Sequence, residues 1–173
     1  RWTDYVKKGG NLVLTCRTAQ KDRHGRLPEA PFGSMINELT GNEMEFYDLL
    51  LPEEPGKLRM DGKEYTWNTW GEILKPGKDS QVWATYTQEF YEGKPAVTTH
   101  KLGKGTVTYV GVDSTDGLLE KDILKKLYAQ LNIPVMDLPY GVTLEYRNGM
   151  GIVLNYTDKP CLLYTSDAAD ERS

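Results

Sequence analysis

Gly9-Gly10-Asn11-Leu12-Val13-Leu14-Thr15-Cys16 is the stretch that decides the fold. Leu12 to Leu14 form an uninterrupted apolar run. That is the signature of a parallel strand covered on both faces, not of a half-exposed strand. Upstream, Trp2, Tyr5 and Val6 fall on one face of a helix, and the glycine pair ends it. A helix, a glycine break and a buried strand predict an α/β domain. The chain opens at Arg1, inside that helix, so an element in front of it is expected to be missing.

Further along, residues 17–33 are polar, rich in Gly and Pro and without periodicity. Loops of that length in compact domains are usually functional or interfacial. Ser34 is placed to cap a short helix carrying Met35, Ile36 and Leu39, closed by Gly41. From Glu43 the chain alternates briefly, Tyr47 breaks the alternation, and Leu49 to Leu51 form an apolar run stopped by Pro52 and Pro55. Leu58 to Trp67 predicts a hairpin around Asp61-Gly62. Strands at 81–87, 96–101 and 106–112 follow, giving a β-rich insertion that returns to a final buried strand. Leu119, Ile123, Leu124, Leu127, Tyr128 and Leu131 line one stripe of a helix ended by Asn132 and Pro134. Val142–Tyr146 and Ile152–Tyr156 alternate around Asn148-Gly149, a second hairpin and the start of a small antiparallel β domain.

Composition narrows the function. The chain has 173 residues, 39% apolar and 27% charged, with formal net charge -4 and mean hydropathy -0.56. It is too short for a (β/α)₈ barrel of about 250 residues. No run approaches the ~18 apolar residues of a membrane helix. A mildly acidic chain offers no electrostatic case for nucleic acid. Two cysteines make no disulfide framework, two histidines leave little room for a metal, and no cofactor is expected. From Cys161 onward the strand pattern stops. Residues 161–173 resemble the in-frame translation of a sequencing-library adapter and are expected not to be native.

Three groups of residues are candidates for chemistry. Cys16, at the end of a buried strand, stands where an amidotransferase-like fold carries its nucleophile. Its neighbours Thr15 and Arg17 are not the small residues a sharp elbow needs, and no histidine follows the strand ending at Asp113. A small buried apolar residue is the plainer reading of Cys16; an active enzyme would need His24 or His100 brought to it. The carboxylates that can be placed sit in turns, in loops or on exposed helix faces (Glu53, Asp61, Asp113, Glu120 and Asp122 among them) and read as solvated charge. Tyr65, Trp67, Trp70, Trp83, Tyr86, Phe90 and Tyr91 crowd the β-rich middle. Such aromatics serve a core, a subunit interface or a sugar-binding face.

Four segments carry a resemblance: "YVKKGGNLVLTCRT" (5–18), "EFYDLLLPEEPGKLRMDGKEYTWNTWGEIL" (45–74), "VWATYTQEFYEGKPAVTTHKLGKGTVTYVGVDS" (82–114) and "PYGVTLEYRNGMGIVLNYTDKP" (139–160). In order and spacing they resemble the region behind the catalytic barrel of glycoside hydrolase family 42 β-galactosidases. The resemblance implies an amidotransferase- or flavodoxin-like α/β domain over residues 1–134, truncated at its N-terminus, then the start of the antiparallel β domain over 138–160. It implies a homotrimer and an intracellular setting. It also implies that β-galactosides are hydrolysed with retention by two glutamates of a barrel that precedes Arg1, so that no residue here is catalytic and Cys16 is a degenerate nucleophile position. Trp67, Trp70, Phe90 and Tyr91 are then the expected interface or near-interface residues. The alternatives are a self-contained amidotransferase-like enzyme using Cys16 and a carbohydrate-binding module with a surface strip of Trp and Tyr faces.

Overall fold

The computed structural model describes residues 1–29, 31 and 33–163, so the adapter-like tail beyond residue 163 lies outside the described residues. Two compact units divide the chain, Arg1–Leu124 and Lys125–Ser173. Helix α1 (Trp2–Lys7) ends where Gly9 takes φ 113° and Gly10 donates back to the Tyr5 carbonyl. Gly9 takes the backbone conformation that favours glycine, and a Cβ at Gly10 would displace the exposed Tyr5 ring, at the turn into strand β1 (Asn11–Thr15). Strand β1 pairs in parallel with β7 (Gly105–Val110), Leu12 opposite Val107 and Thr15 opposite Val110.

Every other described pairing is antiparallel. Strands β2 (Asn42–Asp48), β3 (Gly56–Met60), β4 (Lys63–Pro76), β5 (Ser80–Tyr86) and β6 (Pro95–Leu102) join β1 and β7 in one sheet of order β1-β7-β6-β5-β3-β4-β2, with β8 (Val112–Ser114) pairing β4. The β-rich middle is therefore not an insertion beside an α/β core; it is the sheet itself, and the helices are few and short. The Asp61-Gly62 turn forms as the sequence predicts, both residues at positive φ, between Met60 and Lys63. Strand β4, however, runs nine residues beyond the expected hairpin end at Trp67. A bulge with Thr69 at φ 65° lets its first half pair β3 and its second half pair β2. A 3-10 turn (Ser34–Ile36) and helix α2 (Asn37–Thr40) replace the expected single helix. Ser34 makes no side-chain cap; Gly33 in the left-handed region starts the turn, and Gly41 closes α2 as expected.

The two faces of the sheet are buried differently. On one, Val6, Leu14, Leu39, Leu74, Val107 and Tyr109 form an apolar cluster under α1 and α2. On the other the fill is aromatic: Tyr86 meets both Trp67 and Tyr91 edge-on, with centroids 5.6 and 5.0 Å apart. The Trp67 indole lies between two glycines. A Cβ at Gly56 would come 2.6 Å from its Nε1, and one at Gly71 would come 2.6 Å from its six-membered ring. Helix α3 (Leu118–Gln130) buries Leu119 and Ile123, and its Asp122 accepts from Lys63 Nζ at 2.6 Å and Tyr65 Oη at 2.7 Å. In the second unit β9 (Val142–Arg147) and β10 (Met150–Asn155) pair around Asn148-Gly149, both residues at positive φ, as the sequence predicts.

Glu72, only 1% exposed, ties these parts together. Its Oε1 accepts from the Arg17 backbone N–H (2.8 Å) and Trp70 Nε1 (3.0 Å), and its Oε2 accepts from Tyr109 Oη (2.6 Å). Its own N–H donates to the Gly111 carbonyl at 2.7 Å, and its carbonyl accepts from Tyr86 Oη at 2.9 Å. Glu72→Gln keeps the volume but turns an amide NH₂ toward groups that donate. It is expected to cost about 2–4 kcal/mol of unfolding free energy, measured by denaturant titration. A loss under about 0.5 kcal/mol would show that the cluster carries no such weight.

Candidate functional site

Cys16 follows β1 directly, and the chain turns there into the long loop. The backbone strain expected at an elbow is present but displaced by one residue: Arg17 has φ 64° and Ala19 φ 61°. Glu72 holds this turn through the Arg17 N–H. Burial is the main cause that pushes the Cys16 thiol up to about 12, and the carboxylates of Glu72 and Asp113 add to it. A thiol so placed stays protonated at neutral pH, the reverse of an activated nucleophile. Neither histidine serves it. His24 Nε2 accepts from Arg23 Nε at 3.0 Å, and His100 Nδ1 faces Ser80 Oγ at 3.5 Å. His100 stands opposite Val107 on β7, four residues (about 13 Å along the strands) from the level of Cys16. Among the described residues no group of three or more His, Cys, Asp or Glu is placed to hold a metal.

The four aromatics singled out from the sequence separate sharply. Trp67 is fully buried, Tyr91 is buried with its hydroxyl donating to Asp48 Oδ2 at 2.6 Å, and Trp70 is 8% exposed. Phe90 is 83% exposed. Its ring stacks on Phe46 of β2, centroids 5.4 Å apart and planes 14° from parallel, and meets Tyr91 edge-on at 5.0 Å. Glu89 just before it sits at φ 67°, and the 86–94 loop is closed by bonds from Glu92 N–H to the Glu89 carbonyl and from Gly93 N–H to the Tyr86 carbonyl. A strained, internally bonded loop thus holds a large apolar ring in water.

The structure also exposes apolar residues the aromatic count did not find. Leu49 and Leu51, just past β2, are exposed, and Tyr47, next to Phe46 on β2, stacks on Trp70 at 4.5 Å. Arg17 lies over the same indole, its Cζ 5.2 Å from the ring centroid. The available signal was the broken alternation at Tyr47 followed by the 49–51 apolar run. The strip of open Trp and Tyr faces that sugar binding calls for does not form from Trp67, Trp70 and Trp83, which are all buried. At neutral pH, iodoacetamide should alkylate Cys16 roughly a hundredfold more slowly than a free cysteine, followed by mass spectrometry; rapid stoichiometric labelling would contradict the raised thiol.

With this geometry in hand, known proteins place the chain. A family model described as "Beta-galactosidase trimerisation domain" matches residues 1–139. The β-galactosidase BgaH of Haloferax lucentense is 31% identical over 166 residues, covering 96% of this chain and 25% of that protein. Among solved structures, the β-galactosidase of Halorubrum lacusprofundi superposes with a TM-score of 0.80 at 28% identity, over 90% of this chain and 23% of that one. Gan42B, a GH42 β-galactosidase from G. stearothermophilus, does so with 0.72 at 26% identity, over 83% and 21%. The chain spans about a quarter of the length of the curated β-galactosidase it matches over most of its own length. It belongs to the trimerisation-domain family of the glycoside hydrolase family 42 β-galactosidases.

Proposed function

We propose that this chain is the non-catalytic assembly region of a larger β-galactosidase and holds three copies of it together. Release of terminal β-D-galactosyl residues belongs to a barrel outside these 173 residues, and the β-galactoside meets this chain only through that barrel. The observation that carries the reading is the exposed Phe90 ring, stacked on Phe46 and held out by a strained loop. A monomer gains nothing from such a residue, whereas an interface core is rich in them. Trp67, Trp70 and Tyr91 act one layer below, as the near-interface support that fixes Phe90 and Tyr47 in place.

Several observations support the finer parts of this reading. The parallel β1–β7 pair beside α1 supports an amidotransferase- or flavodoxin-like ancestry for residues 1–134. The match that ends at residue 139 and the separate β9–β10 pair support the start of a second β domain over 138–160; the adapter-like sequence of 161–173 is what sets that tail apart. The chain needs no cofactor for this role, and nucleic acid and membrane are not its partners; the assembled enzyme works in the cytoplasm.

The test is sedimentation together with activity. The purified chain should leave a chromogenic galactoside untouched, and turnover would refute the division of labour. Phe90→Asp should raise the dissociation constant of the assembly at least about tenfold, the ~1.4 kcal/mol of a lost apolar anchor, with little change in unfolding midpoint. Tyr91→Ala should instead cost roughly 3–5 kcal/mol of stability, because it opens the core. An assembly indifferent to Phe90→Asp and to Trp70→Ala would remove these residues from the interface.

A further inference from the structure

A closed ring of three copies cannot use one self-complementary patch. Each copy must offer two different surfaces, one to each neighbour. Two segments of opposite charge, both tied to the edge strand β2, are candidates for them.

The first is the Phe90 surface. Residues 43–54 hold five carboxylates and no Lys or Arg, and the 86–94 loop adds Glu89 and Glu92. Glu53, Glu54, Glu89 and Glu92 are exposed, and none is ion-paired among the described residues. Lys75 and Lys94 pair with Glu43 and Glu45, so the apolar Phe90–Phe46 pair stands on segments whose remaining charge is negative.

The second surface is the loop at 17–29, which carries Arg17, Lys21, Arg23 and Arg26 against Asp22 and Glu29, with Arg26 Nε 3.9 Å from Asp22 Oδ2 within the loop. Its tip is ordered by its own bonds. Asp22 Oδ1 accepts from the N–H groups of His24 (2.7 Å) and Arg26 (2.9 Å), and the Asp22 N–H donates to the Arg26 carbonyl at 2.8 Å. This closed turn presents Leu27, 69% exposed, beside Arg23 and Arg26. A preformed loop loses less entropy on docking than a floppy one.

Both segments are tied to neighbouring residues of β2. Phe46 floors the acidic one, while Tyr47 leads through Trp70 to Arg17 at the root of the basic one. Resting on the trimer reading above, we propose that the basic loop of one copy, with Leu27 at its tip, docks on the acid-rimmed Phe90 surface of the next copy. Leu27 and the aromatic pair supply apolar burial; the Arg and Glu side chains around them select the head-to-tail pairing and reject contacts between like surfaces.

Charge exchange tests this on the whole chain by analytical ultracentrifugation, with circular dichroism as the folding control. Arg23→Glu with Arg26→Glu, and separately Glu89→Lys with Glu92→Lys, should each weaken assembly at least about tenfold. All four substitutions together should restore it to within about threefold of the original. Raising salt from about 50 mM to about 500 mM should weaken the original assembly. A wild-type trimer that none of these variants disturbs would overturn the pairing and leave the trimer reading intact. Disruption by each pair without rescue by the combination would also overturn it. A chain that stays monomeric at every concentration would defeat the trimer reading and the pairing with it. A lactose-dependent change in tryptophan fluorescence, with sedimentation unaffected by the variants, would assign the Phe90 surface to sugar and overturn the pairing too.

Discussion

A single buried carboxylate ties three distant segments of the sheet together. Glu72 is surrounded by neutral donors: one from the turn after β1, one from Trp70 on its own strand and one from Tyr109 on β7. Removing a carboxylate from water is costly unless its lone pairs are filled. Filling them here forces the end of β1, the bulged middle of β4 and the end of β7 into one arrangement. The long loop therefore starts from a fixed point, and Trp70, on which Tyr47 and Arg17 rest, is fixed by the same group.

The same arrangement explains why a strand end that could carry a nucleophile carries none. A reactive thiolate needs a nearby positive charge or base and partial access to water. At Cys16, burial and the carboxylates of Glu72 and Asp113 outweigh the Arg17 guanidinium, and among the described residues no histidine is bonded to it. The negative group that holds the fold opposes ionisation of the thiol. Scaffold and enzyme make opposite electrostatic demands on this corner, and the scaffold's demand is the one met.

What could be read from the sequence follows the range of the physics involved. The turns at Asp61-Gly62 and Asn148-Gly149, the glycine break before β1 and the parallel pairing of β1 are set by residues next to one another, and each stands where the sequence places it; the burial expected on both faces of β1 does not form, because β1 is an edge strand in which only Leu14 is buried. The continuation of β4 was not readable, because Asn68 and Thr69 make a bulge only when β2, β3 and β8 compete for one strand. Glu72 was one carboxylate among many until donors from three distant segments converged on it. The aromatic cluster was visible as a cluster, but its division into buried Trp67 and Tyr91 and protruding Phe90 depends on which side of a twisted sheet each ring meets.

The enclosure of Trp67 carries a consequence for how this domain can drift. Its indole fills the space that Gly56 and Gly71 leave empty, and its N–H has no partner there. A larger residue at either glycine requires a smaller ring at 67, and a smaller ring leaves a void that a side chain at one of those glycines is placed to fill. The three positions, drawn from β3 and β4, are therefore coupled. A change at one of them calls for a compensating change at another.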